Sequence, residues 1–549
     1  IVFGDWSSDV CSSDLGTYEI GDTIPLVHLV NADETASQAR VSKVKVAKTV
    51  AANFLNLASP IMVLASDPNE TYSIAETLFE QSEDNFGHDD DVDLLIKLVQ
   101  SELGNDFPLA RFLSKRIAVH SSALPDEIRY LVEDLMSNEK LQALVATTTI
   151  AQGINFPVSA MIMGSYNYPY FGPMPVRDFW NLAGRVGRAG QDSMGWVGVS
   201  VRNDKDLQDV SAYITSASGA LLSQLADAIN NVLGSADINF DRWLFVDDRW
   251  SAILQYISHL RKQEQSQEVF LAQLEQKLQG TLGYRQLPIE KRTFLRENLR
   301  RYANSISLAD AKMSDATGFS SVSVRQMIGK LATSGITPND WNKNQLFSDQ
   351  NQSMQKLVGI MLNTYEIRKS IETLSTSERP LDMSSIARLI IDWVNGQSVS
   401  RIASRFYPDE ELNNAIQKTT QALYKVVAHS ATWGLAALQS MPTSGVDWDS
   451  LSGIDKKRMA NLPAYLHYGV NTDEGVLMRK NNIPRSIANH LGQLYNAAVN
   501  GEIFSQPVDS VNNWLRNQGR EIWDSVRPAG SKLSGEEYRR VWEKLNGVK

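Results

Sequence analysis

Residues 143–157 read ALVATTTIAQGINFP, and residues 179–190 read FWNLAGRVGRAG. The first is an apolar run that closes on three threonines, Thr147, Thr148 and Thr149, before Gly153 and Asn155. The second repeats a Gly–Arg pair at a three-residue spacing, Gly184–Arg185 and Gly187–Arg188. A β-favouring apolar run that ends in hydroxylated residues suits a buried strand meeting a sheet edge. The arginine pair suits phosphate, because a guanidinium is permanently charged and presents a planar fork of donors. The flanking glycines let a backbone approach a ligand without a Cβ clash.

Working outward, the same alternation of short apolar runs and helical patterns recurs. PIMVLAS precedes TYSIAETLFEQ, RIAVHSSALP precedes EIRYLVEDLM, and SAMIMGSY and WVGVSV follow the first quoted stretch. Strands alternating with amphipathic helices predict an α/β domain with a parallel, doubly wound sheet over 16–205. Beyond 205, runs such as WSAILQYISHLRKQ and MQKLVGIMLNTYEIRKSIETL keep helical spacing. This half is predicted mostly α-helical, divided into a helical region over 206–375 and a helical accessory domain over 376–549.

The chain starts with IVFGDWSSDVCSSDLG rather than with Met. DWSSDVCSSDL fits, codon by codon, one reading frame of a short-read sequencing adapter, so residues 1–15 are set aside as non-native. Cys11, the one cysteine, falls inside that segment. A disulfide framework and a cysteine-based zinc site are therefore excluded. The net charge of −10 argues against a protein that coats DNA through general basicity, so nucleic-acid binding has to come from local sites. No apolar run reaches the roughly 20 residues of a bilayer span, and no secretory pattern opens the chain. The expectation is a cytoplasmic protein without a membrane partner.

Two acidic stretches resemble metal or nucleotide motifs and fail on spacing. DNFGHDDDVD at 84–93 lacks the register of an EF-hand and reads as a loop whose last aspartates cap the next helix. VHLVNADETA at 27–36 ends like an acidic nucleotide motif, but no glycine-rich phosphate loop lies upstream of it. No metal site is expected.

Over about 60–200 the chain resembles the second RecA-like domain of superfamily 2 helicases, nearest to the Ski2-like and DEAD/DEAH-box groups. PIMVLAS is similar to motif IV, AVHSSALPDEIRYLVED to the family's HHAGLP-type segment, ATTTIAQGINFP to motif V and NLAGRVGRAG to motif VI. The resemblance implies that Arg188, and after it Arg185, are arginine fingers for ATP hydrolysis. It places Gly153, Asn155, Asn181, Gly184 and Gly187 on the ATP cleft, with Asn181 standing where the family usually has Gln. Thr147, Thr148, His120 and Ser121 would hold the phosphates of a nucleic-acid strand without reading its sequence. The cofactors implied are ATP and Mg²⁺, held mainly by a first RecA-like domain that is expected to be missing from this chain. The partner is single-stranded or partly duplex RNA or DNA.

Two later segments also resemble Ski2-like accessory domains. LDMSSIARLIIDWVNGQSVSRIASRF carries Trp393 and Gly396, and LPAYLHYGVNTDEGVLMRKNNIPRSIANHLGQL carries a helix, Gly turn, helix, Pro-Arg arrangement. That similarity suggests a ratchet-like domain across the strand, with Arg485 among the strand contacts. Two functions stay open on the residues alone: a truncated ATP-dependent helicase or translocase, itself inactive as an ATPase, and a nonenzymatic nucleic-acid-binding scaffold with a degenerate RecA-like domain.

Overall fold

The computed structural model describes residues 2–6, 43–55, 59–65, 68–82, 86–147, 158–164, 167–168, 172–174, 176–183, 186, 195–201, 204–215, 249–264, 266–374 and 382–547. Its strands are β1 (Val2–Trp6), β2 (Ile61–Ala65), β3 (Ile117–His120), β4 (Ala143–Thr147), β5 (Ala160–Met163), β6 (Asn167–Tyr168), β7 (Gly172–Pro173) and β8 (Gly195–Val199). The main sheet has the order β1-β8-β5-β2-β4-β3, and β6 pairs only with β7.

From β8 to β3 every neighbour is parallel. β2, β3, β4 and β5 are buried at every position, which explains why they read as continuous apolar runs rather than as alternating ones. The helices Pro68–Gln81, Asp90–Glu102 and Pro108–Ser114 carry the chain from β2 to β3, and Asp126–Ser137 carries it from β3 to β4. β2 therefore sends its connection one way across the sheet while β4 sends its own the other way to β5. Such a reversal opens a crevice outside the carboxyl ends of the strands, where doubly wound sheets bind their ligands. This is a RecA-like α/β domain followed by a helical region, as the sequence leads one to expect.

β1 lies within the segment set aside as non-native, and it adds antiparallel to β8, with Val2 opposite Val199 and Trp6 opposite Gly195. The edge of a sheet offers unpaired backbone groups to any short β-favouring segment, whatever its origin.

Asp89 caps the helix Asp90–Glu102, its carboxylate accepting from the amides of Asp91 and Val92, while Asp90, Asp91 and Asp93 lie in the helix's first turn. Gly104, Gly318, Gly396 and Gly469 take positive φ values, and that of Gly469 matters for the site described below.

In the helical half, Arg249–Gln263, Gln267–Gly280 and Ile289–Ser305 form a separate small core around Trp250, Phe270 and Leu299. Most buried side chains from Phe319 to Leu374 join those of 386–542 and of the sheet domain in one contiguous core, while Val322 and Tyr365 pack into the small one. Helix Gln352–Met361 buries its apolar face in the same core as Met383–Val394, and the Ser/Thr-rich stretch at 375–381 lies outside the described residues.

The C-terminal helix Gly535–Leu545 is tied to the sheet domain by charge. The Asp91 carboxylate lies 2.5 Å from Arg540 Nη2, 3.2 Å from Lys544 Nζ and 2.6 Å from Lys140 Nζ. Partial burial works against its ionised form, but hydrogen bonds from Lys140 and Lys544 and their charges prevail and hold the carboxyl down at about 2. A lowered carboxylate stabilises the fold above the unfolded value of 3.8 and loses that contribution as pH falls towards 2. The stability difference between the native chain and Asp91→Asn is therefore expected to be full above pH 4 and to shrink as pH drops to about 2. Urea unfolding across that range checks it; a difference independent of pH would contradict the assignment.

Candidate nucleic-acid and nucleotide edge

The site is built at the carboxyl ends of the parallel strands. β3 ends at His120, followed by Ser121, and β4 ends at Thr147, whose register partner is Ala65 at the end of β2. All three polar residues are buried at this edge, His120 and Thr147 each 5% exposed and Ser121 fully enclosed. Strand register, set by continuous apolar pairing inside the sheet, thus brings residues 27 positions apart to one rim.

His120 Nε2 lies 2.7 Å from Glu133 Oε1, on the following helix Asp126–Ser137. Its other ring nitrogen, Nδ1, is buried and has no hydrogen-bond partner among the described residues. A carboxylate at one ring nitrogen fixes the orientation of the imidazole and leaves the second nitrogen as its unpartnered polar atom. The Ser121 hydroxyl accepts from the amide of Ala123 at 3.4 Å, which tightens the turn into the helix.

One residue of the second quoted motif meets the residue that follows the first. Val158, which follows the stretch 143–157, forms a parallel bridge with Val186, the residue between Arg185 and Gly187. Val186 is buried and its amide donates to the carbonyl of Ala183 at the end of helix Val176–Ala183. Arg185, Arg188, Gly153, Asn155, Gly184, Gly187 and Thr148 themselves lie outside the described residues. Asn181 belongs to helix Val176–Ala183, and its side chain is likewise outside the description.

Arg485 is a different matter. It is 8% exposed; its Nε donates to the carbonyl of Gly469 at 2.8 Å, and its Nη2 donates to those of Trp393 at 2.6 Å and Gln397 at 3.1 Å. Its guanidinium lies 3.9 Å from the centre of the Trp393 ring, and burial pulls its pKa down from the ordinary arginine value. With its donors on main-chain carbonyls and its face on an indole, Arg485 clamps the helical domain internally rather than reaching a strand. The aromatics near it are equally structural: Tyr465 is buried and donates to Asp473 at 2.7 Å, and the Trp393 indole donates to the carbonyl of Leu466 at 2.8 Å.

The pairings that join the two halves are not foreseen in the sequence. Arg479 and Glu127 form a buried ion pair across 352 residues, and Ser486 donates to Glu102 beside it. Burial, reinforced by the charge of Glu127, pushes the Glu102 carboxyl above its usual range. No local pattern marks such pairs, since each partner reads as an ordinary helix-surface charge. Among the described residues no group of three or more His, Cys, Asp or Glu is placed to hold a metal, and no helix is long and apolar enough to cross a membrane.

The parallel sheet is RecA-like, with His120, Ser121 and Thr147 at its carboxyl edge, and proteins similar to this chain include helicases. No family profile matches the chain. It is 38% identical over 104 residues to the Hachiman protein HamB of Bacillus cereus, covering 19% of this chain and 9% of that protein. It is 36% identical over 91 residues to the ATP-dependent DNA helicase Hel308 of Pyrobaculum calidifontis, covering 16% and 13%. Activating signal cointegrator 1 complex subunit 3 of Gallus gallus is 28% identical over 195 residues, covering 33% and 9%. The matched stretches thus span between 9% and 13% of these relatives' own lengths. Among solved structures, the DUF1998 helicase MrfA bound to DNA and AMPPNP is 19% identical over 34% of this chain and 22% of its own, with a TM-score of 0.24, too loose a superposition to carry an inference. The chain contains a Ski2-like superfamily 2 helicase segment.

Proposed function

We propose that this chain supplies the second motor domain and a helical accessory region of an ATP-dependent nucleic-acid helicase or translocase. The observation that supports the reading is the parallel sheet whose register sets His120, Ser121 and Thr147, from two of the resembling segments, at one carboxyl edge. In this reading Arg188, with Arg185 beside it, points a guanidinium at an ATP held largely by a phosphate-loop domain. Bound there, ATP with Mg²⁺ supplies the phosphoryl group and the charge that this chain's arginines offset.

The chain's own part is electrostatic and positional. Charge accumulates on the transferred phosphoryl oxygens, and a fixed guanidinium stabilises it without having to reorganise. Gly153, Asn155, Asn181, Gly184 and Gly187 shape the cleft wall. Thr147, Thr148, His120 and Ser121 hold strand phosphates, contacts that orient the strand regardless of sequence. Arg485 is not among them.

The sequence contains no G-x-x-x-x-G-K-[ST] loop, and the described residues hold no acidic cluster for a metal. The purified chain is therefore expected to show no Mg²⁺-dependent phosphate release from ATP, with or without single-stranded nucleic acid. Release above the buffer background, abolished by Arg188→Ala, would show that the chain holds a complete hydrolytic site and would sink this division of labour.

A further inference from the structure

The ion pair between Arg479 and Glu127 joins the accessory region to the helix that supports His120. Arg479 lies in the last turn of the helix Asp473–Lys480, and Glu127 lies in the first turn of Asp126–Ser137. The guanidinium meets the carboxylate with both arms: Nη1 donates to Oε1 at 3.0 Å and Nη2 to Oε2 at 3.3 Å. Nη1 also donates to the carbonyl of Ile483 at 2.8 Å, so the arginine is fixed on its own side as well. The side chains are 11% and 5% exposed. Burial works against the arginine's charge, and Glu127 more than offsets it, holding the guanidinium above its usual range.

Glu127 and Glu133 share one helix, six residues apart, or about 9 Å along its axis. Glu133 in turn holds the imidazole of His120 at 2.7 Å, and the buried Nδ1 has no hydrogen-bond partner among the described residues. A short helix anchored at its first turn by a bidentate ion pair and touching His120 from its second half moves as one body. We infer that Arg479 is a positioning residue for strand binding: through Glu127 it sets the seat of this helix, and through Glu133 the orientation of His120. The inference rests on the reading of His120 as a strand contact. A surface salt bridge would do little here, but a buried fork-on-carboxylate contact fixes both distance and angle.

A lysine keeps the charge at position 479 and loses the fork. The test measures the affinity of the 549-residue chain for a fluorescent oligothymidylate, in the native protein, His120→Ala, Arg479→Lys and the double variant, with a thermal melt of each. The expected result is that His120→Ala weakens binding, that Arg479→Lys weakens it about three- to tenfold in a protein still folded at the assay temperature, and that Arg479→Lys adds nothing once His120 is gone. If Arg479→Lys lowers affinity by the same factor in the absence of His120, or not at all in its presence, the positioning role is overturned while the strand-contact reading stands. If His120→Ala leaves affinity unchanged, the strand-contact reading falls and the inference with it. Should Arg479→Lys melt below the assay temperature, the exchanged pair Glu127→Arg with Arg479→Glu replaces it. Recovery of affinity relative to Arg479→Glu alone then supports the inference, and lack of recovery in a folded protein overturns it.

Discussion

Arg188→Ala is expected to lower nucleic-acid-stimulated ATP turnover by about 10³- to 10⁵-fold in a motor that joins this chain to a phosphate-loop domain. The loss should fall almost wholly on turnover. A finger meets charge that exists only as the phosphoryl group transfers, so removing it spares ground-state binding of ATP. Arg185→Ala should cost less, because the resemblance places Arg185 second to Arg188. Steady-state kinetics with separate measurement of nucleotide affinity checks both. If affinity for ATP fell as far as turnover, Arg188 would be a ground-state anchor and the finger assignment would be wrong.

The second large effect concerns the clamp in the helical half. Trp393 is 1% exposed and its indole donates to Leu466, while the guanidinium of Arg485 covers its ring. Gly469, at φ +63°, packs so closely that a Cβ there would fall 2.3 Å from the indole and 2.5 Å from Arg485 Nε. Trp393→Ala removes a buried aromatic from this knot and leaves a cavity, which in well-packed cores costs about 3–5 kcal/mol. The guanidinium also loses the ring it stacks on. Urea unfolding should show that loss, whereas oligonucleotide affinity measured on the remaining folded protein should change little. A loss below about 1 kcal/mol would mean the site collapses readily, contrary to the close approach of Gly469.

The sheet was legible because its physics is local. A strand buried on both faces must be apolar at every position, and PIMVLAS, RIAVHSS, ALVATTT, SAMIMGSY and WVGVSV each lie over a strand of the structure. The polar residues at their ends, His120, Ser121 and Thr147, could be placed at the carboxyl edge once the strands were known. Arg485 was misread for an instructive reason. An arginine among tyrosines and a tryptophan has the composition of a stacking platform, yet here the aromatic ring is the arginine's own resting place, and main-chain carbonyls take its donors. The pairs Arg479–Glu127, Lys97–Glu537 and Lys544–Asp134 were out of reach. Each joins residues hundreds of positions apart, and single helix-surface charges carry no mark of the partner that tertiary packing will bring to them.

The most direct test of the central claim is the distance between Arg188 and the γ-phosphate, in a crystal structure of this chain joined to a phosphate-loop domain with a nonhydrolysable ATP analogue and a single strand. The claim requires the guanidinium within hydrogen-bonding reach of a γ-phosphate oxygen, about 2.7–3.2 Å. A guanidinium turned into solvent or paired with a carboxylate of this chain in the closed complex would contradict it, and the Gly–Arg turn would then be a surface feature of a nucleic-acid-binding scaffold.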